Sequence, residues 1–313
     1  MTASTTQTVS SVRYCLGIDG GGTKTALLLT DIDGTPLRQT TAAACNPMDI
    51  GFARAAKILR EAIDDICADL NPSEIAMFAG IAGGGSSPVK EQLHDFFSIF
   101  EFAAFDNDSD NRNILEAGLG HRDGISVIIG TGICVQARYG EQLHRVGGWG
   151  YFIDRGGSGF NLGQDALQVY FAAQDGSGEV SLLSALVGET AACSPEELVG
   201  RMYSGGKTFV ASFAPLVTQA YRMGDPAADA ILSRNAAYIA HLIATAAKQF
   251  PEDCAVIPVV LCGGLSHIQE IVSRVEQQLS DNSALQIECL SREPVIGAAM
   301  AAQKLGKAGE SSC

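Results

Sequence analysis

The sequence predicts an α/β protein built from two similar halves, and three features support this prediction. Two pairs of apolar strands lie about a hundred residues apart, and each pair encloses a turn of glycine and threonine. Strand-like apolar runs alternate with helical patterns after the first pair, which indicates a mixed sheet flanked by helices. The chain of 313 residues, 46% of them hydrophobic, is long enough for two domains with large cores.

The first half opens with strands over residues 14–18 and 26–30, joined by Asp19, three glycines, Thr23 and Lys24. Apolar residues at helical spacing then predict a helix over 52–70. The further predicted elements are a strand over 75–81 that ends before three glycines, a helix over 89–97, a strand near 102–105 and a helix near 110–119.

The second half opens with strands over 125–129 and 133–139 around Gly130, Thr131 and Gly132. A glycine-dense loop over 147–159 follows, and Ser158 is placed to cap the next helix. The remaining predicted elements are a long helix from Asp225 and Pro226, a strand over 256–261, a helix opened by Ser266 and a last helix from Pro294.

These elements predict a disordered tail over 1–12, a first domain over 13–120 and a second over 121–313. Whether the last helix packs back on the first domain is left open. The opening residues have neither a basic segment nor an apolar one, and no apolar run is long enough to span a membrane. We therefore expect a cytoplasmic protein.

Charge and cysteine usage exclude several classes of function. The net charge of −14 argues against nucleic acid or an anionic membrane as the main partner, because those surfaces require basic patches. Nine cysteines are scattered along the chain without any Cys-x-x-Cys pair, which is typical of reduced thiols rather than disulfides or a metal site.

The two glycine turns predict a phosphate ligand. Glycine lets backbone N–H groups approach an anion closely, and threonine hydroxyls add further donors. In the first turn, Asp19 stands at the strand end, where its carboxylate can lie near a metal ion, through water since Mg²⁺ keeps much of its hydration. A simple hairpin turn is the alternative, although three consecutive glycines exceed what such a turn requires.

Five glycine motifs in one order give the chain a family resemblance. It resembles the N-acetylglucosamine kinase and BadF/BadG/BcrA/BcrD ATPase-like group within the superfamily of sugar kinases, Hsp70 and actin. The resemblance implies two ribonuclease-H-like (actin-like ATPase) domains with a cleft between them, and ATP and Mg²⁺ as cofactors. The motifs are Gly17–Lys24, Gly130–Gly132, Gly147–Gly150, Gly157–Gly159 and Leu261–Gly264.

The resemblance assigns the nucleotide site to residues of three motifs. Asp19 is the implied metal-binding residue, and the Gly263-Gly264 pair is implied to contact adenosine; a strand-to-helix turn capped by Ser266 is the alternative for that pair. The implied phosphate-binding residues are Gly21, Gly22, Thr23, Lys24, Gly130, Thr131 and Gly132.

Sugar phosphorylation requires a carboxylate near the attacking hydroxyl, and residues 106–110 contain three carboxylates. Related kinases carry a Thr-Asp or Ser-Asp pair about twenty residues before the second glycine turn. Asp110, which follows Ser109, fits that spacing best and is the expected catalytic base; Asp108 is the second candidate. Helix capping by Ser109 or Asp110 is the structural alternative.

The resemblance also implies sugar contacts from Asn46, Gly83, Gly148, Trp149 and Asp154. Each has a structural alternative: Asn46-Pro47 starts a turn, Gly83 lies in a strand exit, and a lone tryptophan commonly lies in a core. Asp154 departs by about one position from the Gly-Asp-Glu-Gly-Ser-Gly pattern of many relatives.

We therefore expect an ATP-dependent kinase that converts N-acetylglucosamine to its 6-phosphate, with glucosamine or N-acetylmuramic acid as alternative substrates. A homodimer is possible. An ATPase that activates a redox partner is the main alternative, but such activators carry a cluster cysteine near residues 156–165, where this chain has none. A sugar-binding regulator is disfavoured because no helix-turn-helix precedes Tyr14.

Overall fold

The computed structural model describes residues 11–310 and shows two compact units. One ends at Arg122 and resumes at Leu290, and the other comprises Asp123–Cys289. The predicted domain boundary at 120/121 lies two residues from this division, and the last helix belongs to the first unit. Residues 1–10 of the predicted tail lie outside the described part of the chain.

The first unit contains five strands and, before Arg122, four helices. A 3-10 turn over Pro72–Glu74 precedes the fourth strand. The elements are β1 (Tyr14–Gly20), β2 (Lys24–Asp31), β3 (Pro36–Ala43), α1 (Pro47–Ile50), α2 (Phe52–Ile66), β4 (Ile75–Ile81), α3 (Ser87–Ser98), β5 (Ala104–Asp108) and α4 (Asn111–Leu119).

The second unit repeats the five-stranded sheet and carries a larger set of helices. The chain then returns to the first unit in a last helix, α11 (Pro294–Glu310). The elements of the second unit are β6 (Gly124–Ile129), β7 (Ile133–Tyr139), β8 (Gln142–Val146), α5 (Gly159–Asp175), α6 (Leu182–Ala191), α7 (Pro195–Ala211), α8 (Ala214–Arg222), α9 (Pro226–Ala247), β9 (Ile257–Cys262), α10 (Gln269–Gln278) and β10 (Leu285–Cys289).

The two sheets have the same topology. Their strand orders are β3-β2-β1-β4-β5 and, in the corresponding direction, β8-β7-β6-β9-β10. In each sheet the first three strands are antiparallel neighbours, and the last two run parallel to the first strand of the unit. The predicted fold class, two similar mixed α/β units led by a hairpin, is therefore confirmed.

Three strands were not predicted, and all three lie at sheet edges. β3, β8 and β10 are mostly exposed or half-buried, so they lack the apolar run by which the buried strands were recognised. By contrast, every residue of β4 is buried, and its predicted bounds are confirmed. Edge strands show a weak sequence signal because only one neighbour and part of one face constrain their residues.

Several predicted boundaries are wrong by a few residues. α2 ends at Ile66 rather than at 70, and β5 lies at Ala104–Asp108 rather than at 102–105. The polar residues Asp106–Asp108 therefore belong to a strand, because they pair in parallel with β4. Ser266 does not open a helix; it lies within a 3-10 turn over Gly264–His267, where its hydroxyl donates to the Gly263 carbonyl.

The cysteine prediction agrees with the described part of the chain. The eight cysteines between residues 11 and 310 are all free. Cys15 and Cys45 are fully buried, and burial raises the pKa of each thiol to about 11. Such thiols remain protonated and unreactive at neutral pH.

Glycine allows α11 to pack closely on the sheet of the first unit and on α4. A Cβ at Gly17 of β1 would overlap the backbone of Ala299, and a Cβ at Gly297 would overlap the backbone oxygen of Asn113. Val295 and Ala298 of α11 are fully buried there. The last helix is therefore held by backbone-to-backbone packing that a larger side chain would disrupt.

Replacing Gly297 by alanine tests this close packing. Alanine normally stabilises a helix interior by up to about 1 kcal/mol relative to glycine, but at this position the methyl group would push α11 off α4. We expect Gly297→Ala to lower the free energy of unfolding in urea by about 1–3 kcal/mol. Gly200→Ala is the matched control, because that helical glycine has nothing within 4 Å. Equal effects of the two substitutions would contradict the packing account.

Candidate functional site

The predicted site residues of the first unit meet at one edge of its sheet. β1, β4 and β5 are parallel and end at Gly20, Ile81 and Asp108, respectively. The first glycine turn, the loop at 82–86 and the start of α4 follow these three ends. The carboxyl edge of parallel strands is where ligands commonly bind in open α/β sheets.

The first glycine turn connects β1 to β2. Gly21 N–H donates to the Lys24 carbonyl at 2.9 Å, which closes the turn, and Gly22, Thr23 and Lys24 are exposed. Gly20 is buried, and a Cβ there would lie 2.5 Å from the Cys45 sulfur. The turn is therefore anchored at its base and open at its tip, which suits the binding of an anion by backbone N–H groups.

Asp19 is a half-buried carboxylate at the end of β1. Its Oδ1 accepts a 2.7 Å hydrogen bond from Asn113 Nδ2 of α4. Burial is the main reason that the pKa of Asp19 rises to about 6; the Asn113 bond opposes the rise, and the nearby Asp110 adds to it. A carboxylate that is desolvated and lies near another carboxylate is a favourable place for a cation.

The single carboxylate of Asp19 suits a Mg²⁺ ion whose other ligands are water and phosphate oxygens. No group of three or more His, Cys, Asp or Glu side chains within residues 11–310 is arranged to hold a metal ion. Mg²⁺ is commonly held by one or two carboxylates together with water and substrate phosphates. Asp19 beside an exposed glycine turn offers that kind of incomplete protein site.

Asp108 is engaged by its neighbours. Its Oδ2 forms a 3.0 Å ion pair with Lys90 of α3, and its Oδ1 accepts the Ser109 N–H at 2.7 Å. The amide of the buried Asn107 donates to the Lys90 carbonyl at 3.1 Å, which holds α3 against β5. Both oxygens of Asp108 thus already have partners in the protein, and Lys90 balances the charge of the carboxylate.

Asp110 is the N-cap of α4. Its Oδ1 accepts hydrogen bonds from the Ser109 hydroxyl and the Asn111 N–H, both at 3.1 Å. The carboxylate is enclosed by protein but remains partly accessible, and burial raises its pKa above the ordinary range. A raised pKa makes an aspartate a better proton acceptor. Asp110 accepts from the neutral donors of Ser109 and Asn111, whereas Asp108 pairs with a lysine, so Asp110 is better suited to act as a base.

Asn46 and Gly83 lie together beside this edge. Asn46 is buried; its Oδ1 accepts the Met48 N–H at 3.0 Å as the cap of α1, and its Nδ2 donates to Asp49 at 2.8 Å. A Cβ at Gly83, whose φ is +75°, would lie 2.7 Å from Asn46 Oδ1. The turn-forming role of Asn46 is thus present, and its contact with a sugar stays a prediction.

The glycine turn of the second unit is held from behind by α5. Gly130 N–H donates to the Gly132 carbonyl at 2.9 Å, while the carbonyls of Gly130 and Thr131 accept N–H groups from the start of α5. Ser158 caps that helix through Asn161 N–H, as predicted. A Cβ at Gly130 or Gly132 would meet nothing within 4 Å. The turn therefore has open space on its side-chain faces.

The predicted adenosine glycines follow β9, next to the second turn. Gly263 has a φ of +101°, and a Cβ there would lie 2.7 Å from the Ile129 carbonyl oxygen and 3.0 Å from Gly130 N. Gly264 has open space around its α-carbon. The structure thus brings Gly263 against the strand that precedes the glycine turn, and a side chain would separate these two segments.

The loop after β8 contains the remaining predicted sugar residues. Asp154 is buried and its Oδ2 accepts the Gly150 N–H at 3.0 Å. Gly148 has a φ of +71°, and a Cβ there would lie 2.5 Å from the Cys134 sulfur. Trp149 is 64% exposed, and the Arg145 guanidinium carbon lies 3.9 Å from the centroid of the Trp149 ring. The core interpretation of this tryptophan is therefore wrong.

Sequence reasoning missed two residues that organise the site, Lys90 and Asn113. Lys90 pairs with Asp108 from a different helix, a contact that no local pattern signals. Asn113 is fully buried in α4, three residues after Asp110. A polar residue on the face of a helix that otherwise packs inward is a detectable signal, since a buried amide requires hydrogen-bond partners.

The sequence profile of the BadF/BadG/BcrA/BcrD ATPase family matches residues 16–302. The chain belongs to the BadF/BadG/BcrA/BcrD ATPase family. The resemblance inferred from the glycine motifs is confirmed, and membership of this ATPase family implies the use of ATP.

Named relatives of this family member are sugar kinases. It is 29% identical over 233 residues to the N-acetylmuramic acid/N-acetylglucosamine kinase of Clostridium acetobutylicum, which covers 72% of this chain and 76% of that protein. It is 26% identical over 312 residues to the N-acetyl-D-glucosamine kinase of Dictyostelium discoideum, and the match covers 92% of this chain and 97% of that protein. A structure assigned as an N-acetylglucosamine kinase from Chromobacterium violaceum superposes with a TM-score of 0.76 at 28% identity, covering 93% of this chain and 99% of that one.

Among residues 11–310 of this family member, no helix combines the length and the apolar character needed to cross a membrane.

Asp154→Ala tests whether its carboxylate orders the loop after β8. The substitution removes the acceptor of the Gly150 N–H, so the loop should gain mobility. Trp149, the only tryptophan in the chain, reports on this directly. We expect lower fluorescence anisotropy of Trp149 and little change in the midpoint of thermal unfolding.

Asp175→Ala is the control for that measurement, because Asp175 also accepts a backbone N–H, from Ser177 at 2.9 Å, at an exposed position. It should leave the anisotropy unchanged. Unchanged anisotropy in Asp154→Ala would show that the Asp154 carboxylate does not order the loop.

Proposed function

We propose that this protein is an ATP-dependent amino-sugar kinase that converts N-acetylglucosamine to N-acetylglucosamine 6-phosphate. Family membership and the names of the relatives support the reaction class and the kind of substrate. The observation that carries the proposal is the placement of Asp110. It caps α4 at the same sheet edge as the Asp19 glycine turn, so a base follows β5 and a phosphate-binding element follows β1, with β4 between these two parallel strands.

The proposed chemistry is in-line transfer of the γ-phosphoryl group of ATP to the sugar hydroxyl. Asp110 accepts the hydroxyl proton as the new oxygen–phosphorus bond forms, and ADP leaves. Burial raises the pKa of Asp110, and a carboxylate with a raised pKa is a better proton acceptor. In the turns at Gly21–Lys24 and Gly130–Gly132, the N–H groups other than those of Gly21 and Gly130, which close the turns, bind phosphate oxygens.

Mg²⁺, when bound through Asp19, would neutralise charge on the phosphates. Lys24 adds a cation at the start of β2, and its charge partly opposes the rise that burial causes in the pKa of Asp19. Gly263 and Gly264 are proposed to contact adenosine. Asn46, Gly83, Gly148, Trp149 and Asp154 are the proposed sugar residues. Of these, Asn46 and Gly83 lie close together, since a Cβ at Gly83 would come within 2.7 Å of Asn46 Oδ1.

Glucosamine and N-acetylmuramic acid are alternative substrates within the same reaction class. An ATPase that activates a redox partner is the alternative of a different class. A cytoplasmic location and a homodimer stay predictions from the sequence.

The proposed function is tested by Mg²⁺-dependent ADP release with a panel of sugars. The panel contains N-acetylglucosamine, glucosamine, N-acetylmuramic acid, glucose and a reaction without sugar. We expect release that depends on an amino sugar and is greatest with N-acetylglucosamine. Release that is independent of sugar would contradict the kinase proposal and favour the activator. The absence of release with every sugar would also contradict it.

Asp110→Asn and Asp108→Asn form a matched pair that tests the assignment of the base. Asparagine keeps the shape of either side chain but cannot accept the proton. We expect Asp110→Asn to lower kcat by about 10²–10⁴-fold while ADP affinity changes little. Asp108→Asn should lower kcat by less than about tenfold, because that carboxylate pairs with Lys90. The reverse order of effects would make Asp108 the base.

A further inference from the structure

Asn113 connects α4 to the ends of two strands of the first unit. Its side chain is fully buried, and its Nδ2 donates to Asp19 Oδ1 at 2.7 Å. The same nitrogen lies 3.2 Å from the Gly80 carbonyl oxygen and 3.4 Å from that of Ile18. Three oxygens around one nitrogen fix the orientation of the amide, because the opposite orientation would place an oxygen among oxygens.

This orientation leaves the oxygen of the Asn113 amide without a partner. Asn113 Oδ1 is buried and has no hydrogen-bond partner. A buried unpaired acceptor is unfavourable, so the contacts of Nδ2 have to offset the desolvation of Oδ1. What the amide provides is a donor aimed at the Asp19 carboxylate.

Space for this amide is made by a glycine on β4. A Cβ at Gly80 would overlap the side-chain amide of Asn113. The residue opposite Gly80 on β1 is Asp19 itself. The amide thus lies over the pair formed by Asp19 and Gly80, and any side chain at Gly80 would displace it from the carboxylate.

The same face of α4 carries Asp110, Asn113 and Glu116, at intervals of three residues. Glu116 is fully buried and is paired with Lys304 of α11 and with Arg112. The helix is therefore tied to α11 at one turn and to Asp19 at the turn before. Because α4 is a rigid element that begins at its Asp110 cap, the Asn113 bond fixes Asp19 relative to Asp110.

We propose that Asn113 is a positioning residue that holds the Asp19 carboxylate in place for Mg²⁺ and sets its placement relative to Asp110. This inference rests on the proposed nucleotide site. It assigns Asn113 no contact with substrate. Residues that orient a metal-binding carboxylate commonly change metal affinity or activity by 10–100-fold when they are replaced.

The test measures Mg²⁺ binding rather than turnover alone. Isothermal titration of Mg²⁺ into protein saturated with ADP gives an apparent Mg²⁺ affinity whether or not any sugar is phosphorylated. We expect Asn113→Leu, which keeps the size but removes the donor, to weaken that affinity by about tenfold or more. In the kinase assay it should raise the Mg²⁺ concentration needed for half-maximal rate and lower kcat, with little change in KM for sugar.

Lys304→Met is the matched control, since it removes the ion pair between Glu116 of α4 and Lys304 of α11 without changing Asn113 or Asp19. It should lower the midpoint of thermal unfolding and leave the Mg²⁺ affinity of the ADP complex unchanged. An equal loss of Mg²⁺ affinity in Lys304→Met and Asn113→Leu would overturn the proposal, because it would reduce Asn113 to a general anchor of α4. Unchanged Mg²⁺ affinity in Asn113→Leu would also overturn it.

Gly80→Ala places a methyl group on β4 that displaces the Asn113 amide from Asp19. This variant tests the role of the Asn113–Asp19 hydrogen bond if Asn113→Leu does not fold. Like Asn113→Leu, it should weaken the binding of Mg²⁺ to the ADP complex. A wild-type Mg²⁺ affinity in a folded Gly80→Ala protein would overturn the proposal. If the wild-type protein binds Mg²⁺ and ADP but phosphorylates no sugar, the kinase proposal fails while these comparisons still decide the role of Asn113.

Discussion

The candidate site depends on the parallel arrangement of β1, β4 and β5, whose carboxyl ends meet at one edge of the first sheet. Residues far apart in sequence become neighbours there because each follows a different strand end. The glycine turn follows β1, Gly83 follows β4, and Asp110 follows β5. The second unit repeats this topology, and its glycine turn and Gly263 follow the adjacent parallel strands β6 and β9.

Two carboxylates at this edge, those of Asp19 and Asp110, are desolvated and lie near each other. Burial raises the pKa values of both Asp19 and Asp110, and the negative charge of Asp110 further raises that of Asp19. Lys90 neutralises Asp108, so the basic residue at the junction stabilises the carboxylate that we do not assign to catalysis. A divalent cation at Asp19 would relieve the repulsion and leave Asp110 as the acceptor of a proton.

Much of this architecture could be predicted because buried strands and glycine turns have strong local signals. The bounds of β4, the Ser158 cap and the Asp225 cap are confirmed because each follows from its own apolar run or cap residue. β3, β8 and β10 were missed because edge strands have polar sequences. The Lys90–Asp108 pair and the Asn113–Asp19 bond could not be predicted, since they join segments 18 and 94 residues apart. Such contacts become visible only when the strand order is known.

The measurement that tests the account most directly is a crystal structure of the protein with Mg²⁺, a non-hydrolysable ATP analogue and N-acetylglucosamine. The account predicts phosphate oxygens within hydrogen-bond distance of the N–H groups at Gly21–Lys24, the metal on the Asp19 side of the turn, and the sugar 6-hydroxyl within reach of an Asp110 oxygen. A phosphate chain bound away from this turn, or a 6-hydroxyl that contacts Asp108 rather than Asp110, would contradict it.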